Sequence, residues 1–347
     1  MGDYEIPIKF MLTNLTSCKV KVAPPITKKT LILGTKYSPD FVCIPFKYNL
    51  GNYIEALDNG ANILVQAGGG CRFGYYGEAQ MQILKGLGYK FEFCSIANDN
   101  GKMGPKTIYK AFKKLNPSLS IFKYIYYVLL TMLMIILMDR IDIKIRKNIG
   151  FTVNFKDYLK LKNEMLNRFS QTKGLINLIF NFYKYKRLFK KIPLNKPKDC
   201  LKVGIIGELY TCMEPFASYN IEIELAKMGV EIERYTDLTY LLITKHLNRK
   251  YLLKRVKSYL KYHLGADALD NIARTKSLGK RKYHGIIHTK PFACMPEVSA
   301  IPIMDKIAKD YQTPIIYFSF DSQTSEEGIK TRLEAFYDMI AMKRSHK

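Results

Sequence analysis

Short apolar runs, each closed by a turn and followed by a helical period, recur at both ends of this 347-residue chain and point to a fold in which strands and helices alternate. Residues 61–67 (ANILVQA) form a continuous apolar run, and residues 90–96 (KFEFCSI) alternate as a strand does. Between them, residues 49–57 and 78–87 place apolar side chains at three and four spacing, and Gly60 and Gly88 stand where helices end. Residues 19–22 predict a further short extended piece. After Pro193, Pro197 and Asp199 the pattern returns. It predicts strands over 203–207, 230–234, 285–289 and 314–320, helices over 218–228 and 299–310, a basic helical stretch before 285, and a last helix over about 326–342.

Strands and helices alternating at this spacing imply parallel sheets covered by helices on both faces. The stretch 106–191 differs, with long helical periods, dense lysine and few turn signals. The expected organisation is α/β: a first lobe over 1–105, a helical connector over 106–198 and a second lobe over 199–347. At 347 residues the chain can bury more than one core. One run, residues 124–138 (YIYYVLLTMLMIILM), is almost wholly apolar, but a membrane span needs about 20 residues. It reads as a buried or docking helix, with no transmembrane segment expected.

The formal net charge of +25 would favour acidic proteins, nucleic acids or anionic lipid surfaces. Its lysines are spread through Ile-, Asn- and Tyr-rich segments, as a solvated surface spreads them, so no specific nucleic-acid site is expected. The opening MGDYEIPIKF has no basic region leading into a long apolar run, and seven cysteines is an odd number. Together these argue against a disulfide framework and for a cytoplasmic chain whose cysteines are core residues, metal ligands or catalytic thiols.

In parallel sheets, ligands lie beyond the carboxyl ends of the strands. Cys71 follows 61–67 through three glycines, Cys294 follows 285–289 through Lys290-Pro291-Phe292-Ala293, and Cys43 stands at the approach to a helix. Backbone amides at such turns can balance the charge of sulfur. Cys212 also follows a strand and is a candidate fourth ligand, whereas Cys18, Cys94 and Cys200 read as packing residues. The residues alone leave open an iron-sulfur cluster or a zinc held by the three cysteines and His288.

The segments SPDFVCIPFKYNLGNYIEAL, GGGCRFGYYGEAQ, VGIIGELY, HGIIHTKPFACMPE and TRLEAFYDM resemble proteins related to the 2-hydroxyacyl-CoA dehydratase component and its activator, the acyl-CoA dehydratase activase-related or CoA protein activase family. The resemblance runs along nearly the whole chain. It implies two Rossmann-like lobes gripping a 4Fe-4S cluster at their interface, with Cys43, Cys71 and Cys294 as its ligands. The first lobe is expected to lack its N-terminal strand. The resemblance also implies low-potential electrons supplied by a separate ATP-hydrolysing activator protein; no phosphate-binding loop of the Walker type appears in this chain, so the ATP work is expected of that partner.

Further implications are anaerobic electron transfer and an ATP-activated reductase or dehydratase-like role. An acyl-CoA substrate, a second enzyme subunit and a homodimer are the candidate partners. Arg72 and Tyr75 are candidates to donate to sulfide or to a bound anion, and Glu78, Glu208 and Glu297 to relay protons; helix capping and packing is the plainer alternative for each. The competing function is a non-enzymatic assembly or regulatory protein with a structural zinc or a sensing cluster.

Overall fold

The computed structural model describes residues 2–67, 71–96 and 104–345 and has a mixed α/β fold with two small parallel sheets. The chain divides into two compact units: a first formed by Ile8–Thr131, and a second formed by Met1–Pro7 with Met132–Lys347. In chain order the first unit holds most of α1 (Glu5–Leu15), then α2 (Lys28–Tyr37), α3 (Ile44–Asp58), β1 (Ile63–Gln66), α4 (Tyr76–Gly86), β2 (Glu92–Ser95), α5 (Pro105–Leu115) and the start of α6 (Ile121–Asn148). The second holds the rest of α6, then α7 (Phe155–Ser170), α8 (Leu175–Lys191), β3 (Lys202–Gly207), α9 (Leu209–Met213), α10 (Ile221–Lys227) and β4 (Glu231–Arg234). It closes with α11 (Lys245–Arg255), α12 (Ala268–Lys280), β5 (Gly285–Pro291), α13 (Met295–Asp310), β6 (Ile315–Phe320) and α14 (Glu326–Ser345).

In the first unit β1 and β2 pair in parallel, Ile63 opposite Glu92 and Gln66 opposite Ser95. Phe46, Leu50, Ile54, Leu64 and Leu84 fill the core between this ribbon and helices α3 and α4. Helices α2 and α3 cross at glycines: a methyl on Gly34 would sit 1.7 Å from the Lys47 carbonyl oxygen, and one on Gly51 would sit 1.9 Å from that of Thr30. A buried hydrogen bond, Thr30 Oγ1 to Glu55 Oε2 at 2.6 Å, fastens the crossing. Gly60 and Gly88 adopt the left-handed conformation just past α3 and α4, as their positions imply. The extended piece expected at 19–22 is not a strand, since those residues join no sheet.

In the second unit four parallel strands lie in the order β4-β3-β5-β6. The chain steps from β3 to β4 on one side, then returns across β3 to β5 and on to β6, so the direction reverses between β3 and β5. Strand alternation separates the two faces. Gly204, Ile206, Ile286 and His288 face α12 and α13, where a methyl on Gly204 would meet Leu278 at 2.4 Å. Gly285 faces α14, against Phe336.

The connector expected over 106–198 is helical throughout its long elements, and those helices fall into both units. The helix that carries the apolar run 124–138 extends beyond it at both ends. Helix α6 has 28 residues, and 121–151 is long and apolar enough to cross a membrane by length and composition. Charged residues enter the helix after the apolar run without ending it. Its second half is packed: Met134, Ile135, Met138 and Ile141 are buried, and buried Asp139 accepts bonds from the Tyr4 hydroxyl and, at 2.8 Å, from the Thr239 N–H.

Candidate functional site

In the first unit, Cys43 is the N-cap of α3, with Pro45 in the first helical turn and no side-chain bond capping the amides. Proline suits that place because its missing N–H would have no partner there. The half-buried Cys43 Sγ lies 2.8 Å from the hydroxyl of Tyr76, the first residue of α4. Tyr76 itself packs edge-on against Phe46, with ring centroids 4.9 Å apart. Helix α4 is pressed onto the end of β1, where a methyl on Gly77 would stand 1.8 Å from Gln66 Oε1. Gln80 Nε2 donates to the Phe46 carbonyl at 3.2 Å and ties α4 to α3.

Cys71 is exposed and leads into the 3-10 turn Arg72–Tyr75 that opens α4. The carboxyl end of β1, the start of α4 and the start of α3 therefore meet, with Cys43 fixed to a residue five positions after Cys71. The glycines before Cys71 and the side chain of Arg72 lie outside the described residues. Tyr75 and Glu78 are exposed.

In the second unit, Cys294 repeats the arrangement of Cys43. It is the half-buried N-cap of α13, followed by Pro296 in the first turn, with no side-chain bond capping the amides. The turn from β5 is closed by Cys294 N–H donating to the Pro291 carbonyl at 3.2 Å. Lys290, 4% exposed, donates to the Phe292 carbonyl at 3.2 Å. Burial lowers the affinity of its amine for a proton, while Cys294 and Glu297 beside it act in the opposite sense.

Beneath Cys294, where the winding direction reverses between β3 and β5, lies a buried polar group. His288 Nε2 is 2.6 Å from Glu297 Oε2, and both side chains are fully buried. Asn271 Nδ2 donates to the same carboxylate at 2.9 Å and to the Gly207 carbonyl at 3.0 Å, and its Oδ1 accepts from the Gly207 N–H at 3.1 Å. One side chain thus joins α12, α13 and the end of β3. Glu208 caps α9, accepting from Tyr210 and Thr211 N–H, both at 3.0 Å. On the opposite face of the sheet, Cys212 Sγ is 3.2 Å from Thr289 Oγ1, and burial pushes its thiol up to about 12.

Two expectations are placed by this geometry. His288 pairs with Glu297 rather than with sulfur, and Glu297 and Glu208 occupy helix starts, where they tie strand ends to helices. Cys212 is a buried neutral thiol packed on Thr289. Cys200 is buried 3.6 Å from Glu231, and Cys18 and Cys94 are half-buried, Cys94 within β2. Asn271 and Lys290 are additions. Lys290 could have been found from its place four residues before Cys294, whereas Asn271 sits in a basic helical stretch that carries no local signal.

Among the described residues, no three His, Cys, Asp or Glu side chains form a metal-ligand group, and Cys294 belongs to a different unit from Cys43 and Cys71. No protein-family model matches the chain, and no curated protein matches it.

Glu208 makes a pH prediction. Burial raises its carboxyl to about 7, the two backbone donors pull it back, and the Asp267 and Glu297 charges add to the rise. A carboxyl raised on folding stabilises fully below its unfolded value of 4.5, and that stability is lost as pH climbs through about 7. Asp270, raised to about 6 by burial, acts in the same direction. Urea unfolding of the second unit should lose about 2 kcal/mol between about pH 5 and 8. Glu208→Gln, which keeps an acceptor for the cap, should flatten most of that slope; an unchanged slope in the variant would contradict the assignment.

Proposed function

We propose that this chain is a cytoplasmic iron-sulfur redox protein with two Rossmann-like lobes, related to the 2-hydroxyacyl-CoA dehydratase component, in which Cys43, Cys71 and Cys294 hold a 4Fe-4S cluster. The observation that carries the proposal is the device shared by Cys43 and Cys294: each is a helix N-cap followed by X-Pro, with no side-chain bond capping the amides behind it. Thiols fit such a cluster in donor chemistry, and sulfur charge is balanced by amides and nearby cations at helix starts. Three ligands would leave one iron without a protein sulfur.

The chain's own residues have distinct roles in this reading. The Tyr76 hydroxyl holds the Cys43 sulfur in place at 2.8 Å. Lys290 places its amine where burial disfavours its proton and the charges of Cys294 and Glu297 favour it, and the buried Glu297–Asn271 bonds keep the first turn of α13 fixed on the sheet. When bound, the cluster would supply one-electron transfer at low potential, set by these hydrogen bonds and charges. An ATP-hydrolysing activator would be the electron donor. The acceptor would be an acyl-CoA substrate or a second enzyme subunit.

Anaerobic isolation tests the reading. The expected product is brown protein with iron and acid-labile sulfide in equal amounts, lost in Cys43→Ala and Cys71→Ala and kept in Cys94→Ala. One zinc per chain without sulfide would replace this proposal with the structural-zinc alternative.

A further inference from the structure

Helix α8 presents an outward face that none of the described residues covers. Its inner face is well packed, with Leu178, Phe182, Tyr185 and Phe189 buried. Outward, Leu175, Ile179 and Tyr183 follow one another at four-residue spacing, alongside Ile176 and Phe180. Ile176 and Phe180 are 86% and 67% exposed, far more than packing in a closed core would leave them. The same arc continues toward the C-terminal end as Lys186, Arg187, Lys190 and Lys191. The face is therefore divided along its length into an apolar half and a cationic half.

On this segment Lys196 pairs with Glu231 at 2.9 Å, whereas Lys186, Arg187, Lys190 and Lys191 form no ion pair among the described residues. Residues 165–198 contain nine basic side chains and no acidic one. Burial, and after it the like charges of Lys186 and Lys190, lower the affinity of the Lys144 amine of α6 for a proton. Lys186 also lies 5.5 Å from the Tyr183 ring centroid, so cationic and aromatic groups meet where the two halves join. The exposed apolar stripe of α6, Ile121, Phe122, Ile125, Tyr126 and Leu129, belongs to the other unit and has only Lys123 within it. It lacks the cationic half.

We propose that the outward face of α8 docks the protein on an anionic lipid surface, Ile176 and Phe180 entering the acyl boundary while Lys186, Arg187, Lys190 and Lys191 engage phosphate headgroups. A lipid interface satisfies both halves at once: apolar side chains gain by leaving water, and basic ones gain from the negative surface potential. Nucleic acid would answer the lysines and leave the apolar half in water. This inference stands independently of the thiol reading.

Co-sedimentation of the full chain with vesicles tests it. Binding is expected to phosphatidylcholine vesicles containing roughly one-third phosphatidylglycerol, and not to phosphatidylcholine alone. The double variant Ile176→Ser/Phe180→Ser should weaken partitioning by more than about tenfold, and Lys186→Glu/Lys190→Glu by about 25-fold or more. These are surface positions, so an unchanged melting curve shows that folding is intact. Failure of the unaltered protein to bind, or equal binding by both variants, would overturn the proposal. So would self-association in lipid-free solution that Ile176→Ser/Phe180→Ser abolishes, because a second copy would then be the occupant.

Discussion

Replacing Gly34 by alanine is expected to cost the first unit about 3 kcal/mol or more. The new carbon would lie 1.7 Å from the Lys47 carbonyl oxygen and 2.5 Å from the carbonyl carbon, and both are backbone atoms of α3. No rotamer change can relieve the clash, so α2 and α3 must separate. Separation would pull Thr30 from Glu55, buried partners at 2.6 Å, and would loosen the start of α3 where Cys43 stands. Gly86→Ala is the matched control. Nothing lies within 4 Å of its added carbon, so better helix propensity alone should leave the protein unchanged or up to about 1 kcal/mol more stable. Urea unfolding with hydrogen-exchange readout from α2 and α3 separates the cases; equal stability of the two variants would show that the crossing is not close-packed.

Glu297→Ala should destabilise the second unit by about 3–5 kcal/mol. The carboxylate is fully buried and joins His288 at 2.6 Å and Asn271 at 2.9 Å. Truncation leaves His288 Nε2 without a partner and opens a void among side chains that exclude water. Glu297→Gln retains volume and one acceptor and should recover at least half of the loss. Denaturant unfolding monitored over β3 and β5 gives the comparison. A loss below about 1 kcal/mol for the alanine variant would mean that this group is only an incidental contact.

Much of this architecture was legible because strand and helix periods differ. The expected strands 203–207 and 230–234 lie within one or two residues of β3 and β4, and helices α3 and α4 end where Gly60 and Gly88 allow a left-handed turn. Residues 19–22 form no strand because an extended, partly apolar segment becomes one only if an edge is there to pair with it, and pairing is a long-range event. The length of α6 was hidden for a different reason. Asp139, Arg140, Asp142 and Lys144 look like the end of an apolar run, yet Asp139 is buried against Tyr4 and Thr239, so charge did not mark the surface there.

The candidate site was legible in part. Prolines two positions after Cys43 and Cys294 announce helix starts, and both cysteines are N-caps. In sequence His288 is a candidate metal ligand and Glu297 a candidate proton relay. Their pairing depends on β5 and α13 packing so that a strand residue and a helix residue nine positions apart face each other. Asn271, which anchors that pair to the end of β3, comes from a helix whose sequence is mostly basic and small.

Ligation of one 4Fe-4S cluster by Cys43, Cys71 and Cys294 is the proposal to be tested. Iron and acid-labile sulfide, counted per chain in anaerobically isolated Cys294→Ala beside the unaltered protein, tests it most directly. About four irons and four sulfides are expected in the unaltered protein and at most a small remainder in the variant. Iron held at full stoichiometry in Cys294→Ala, or none in the unaltered protein, would contradict it.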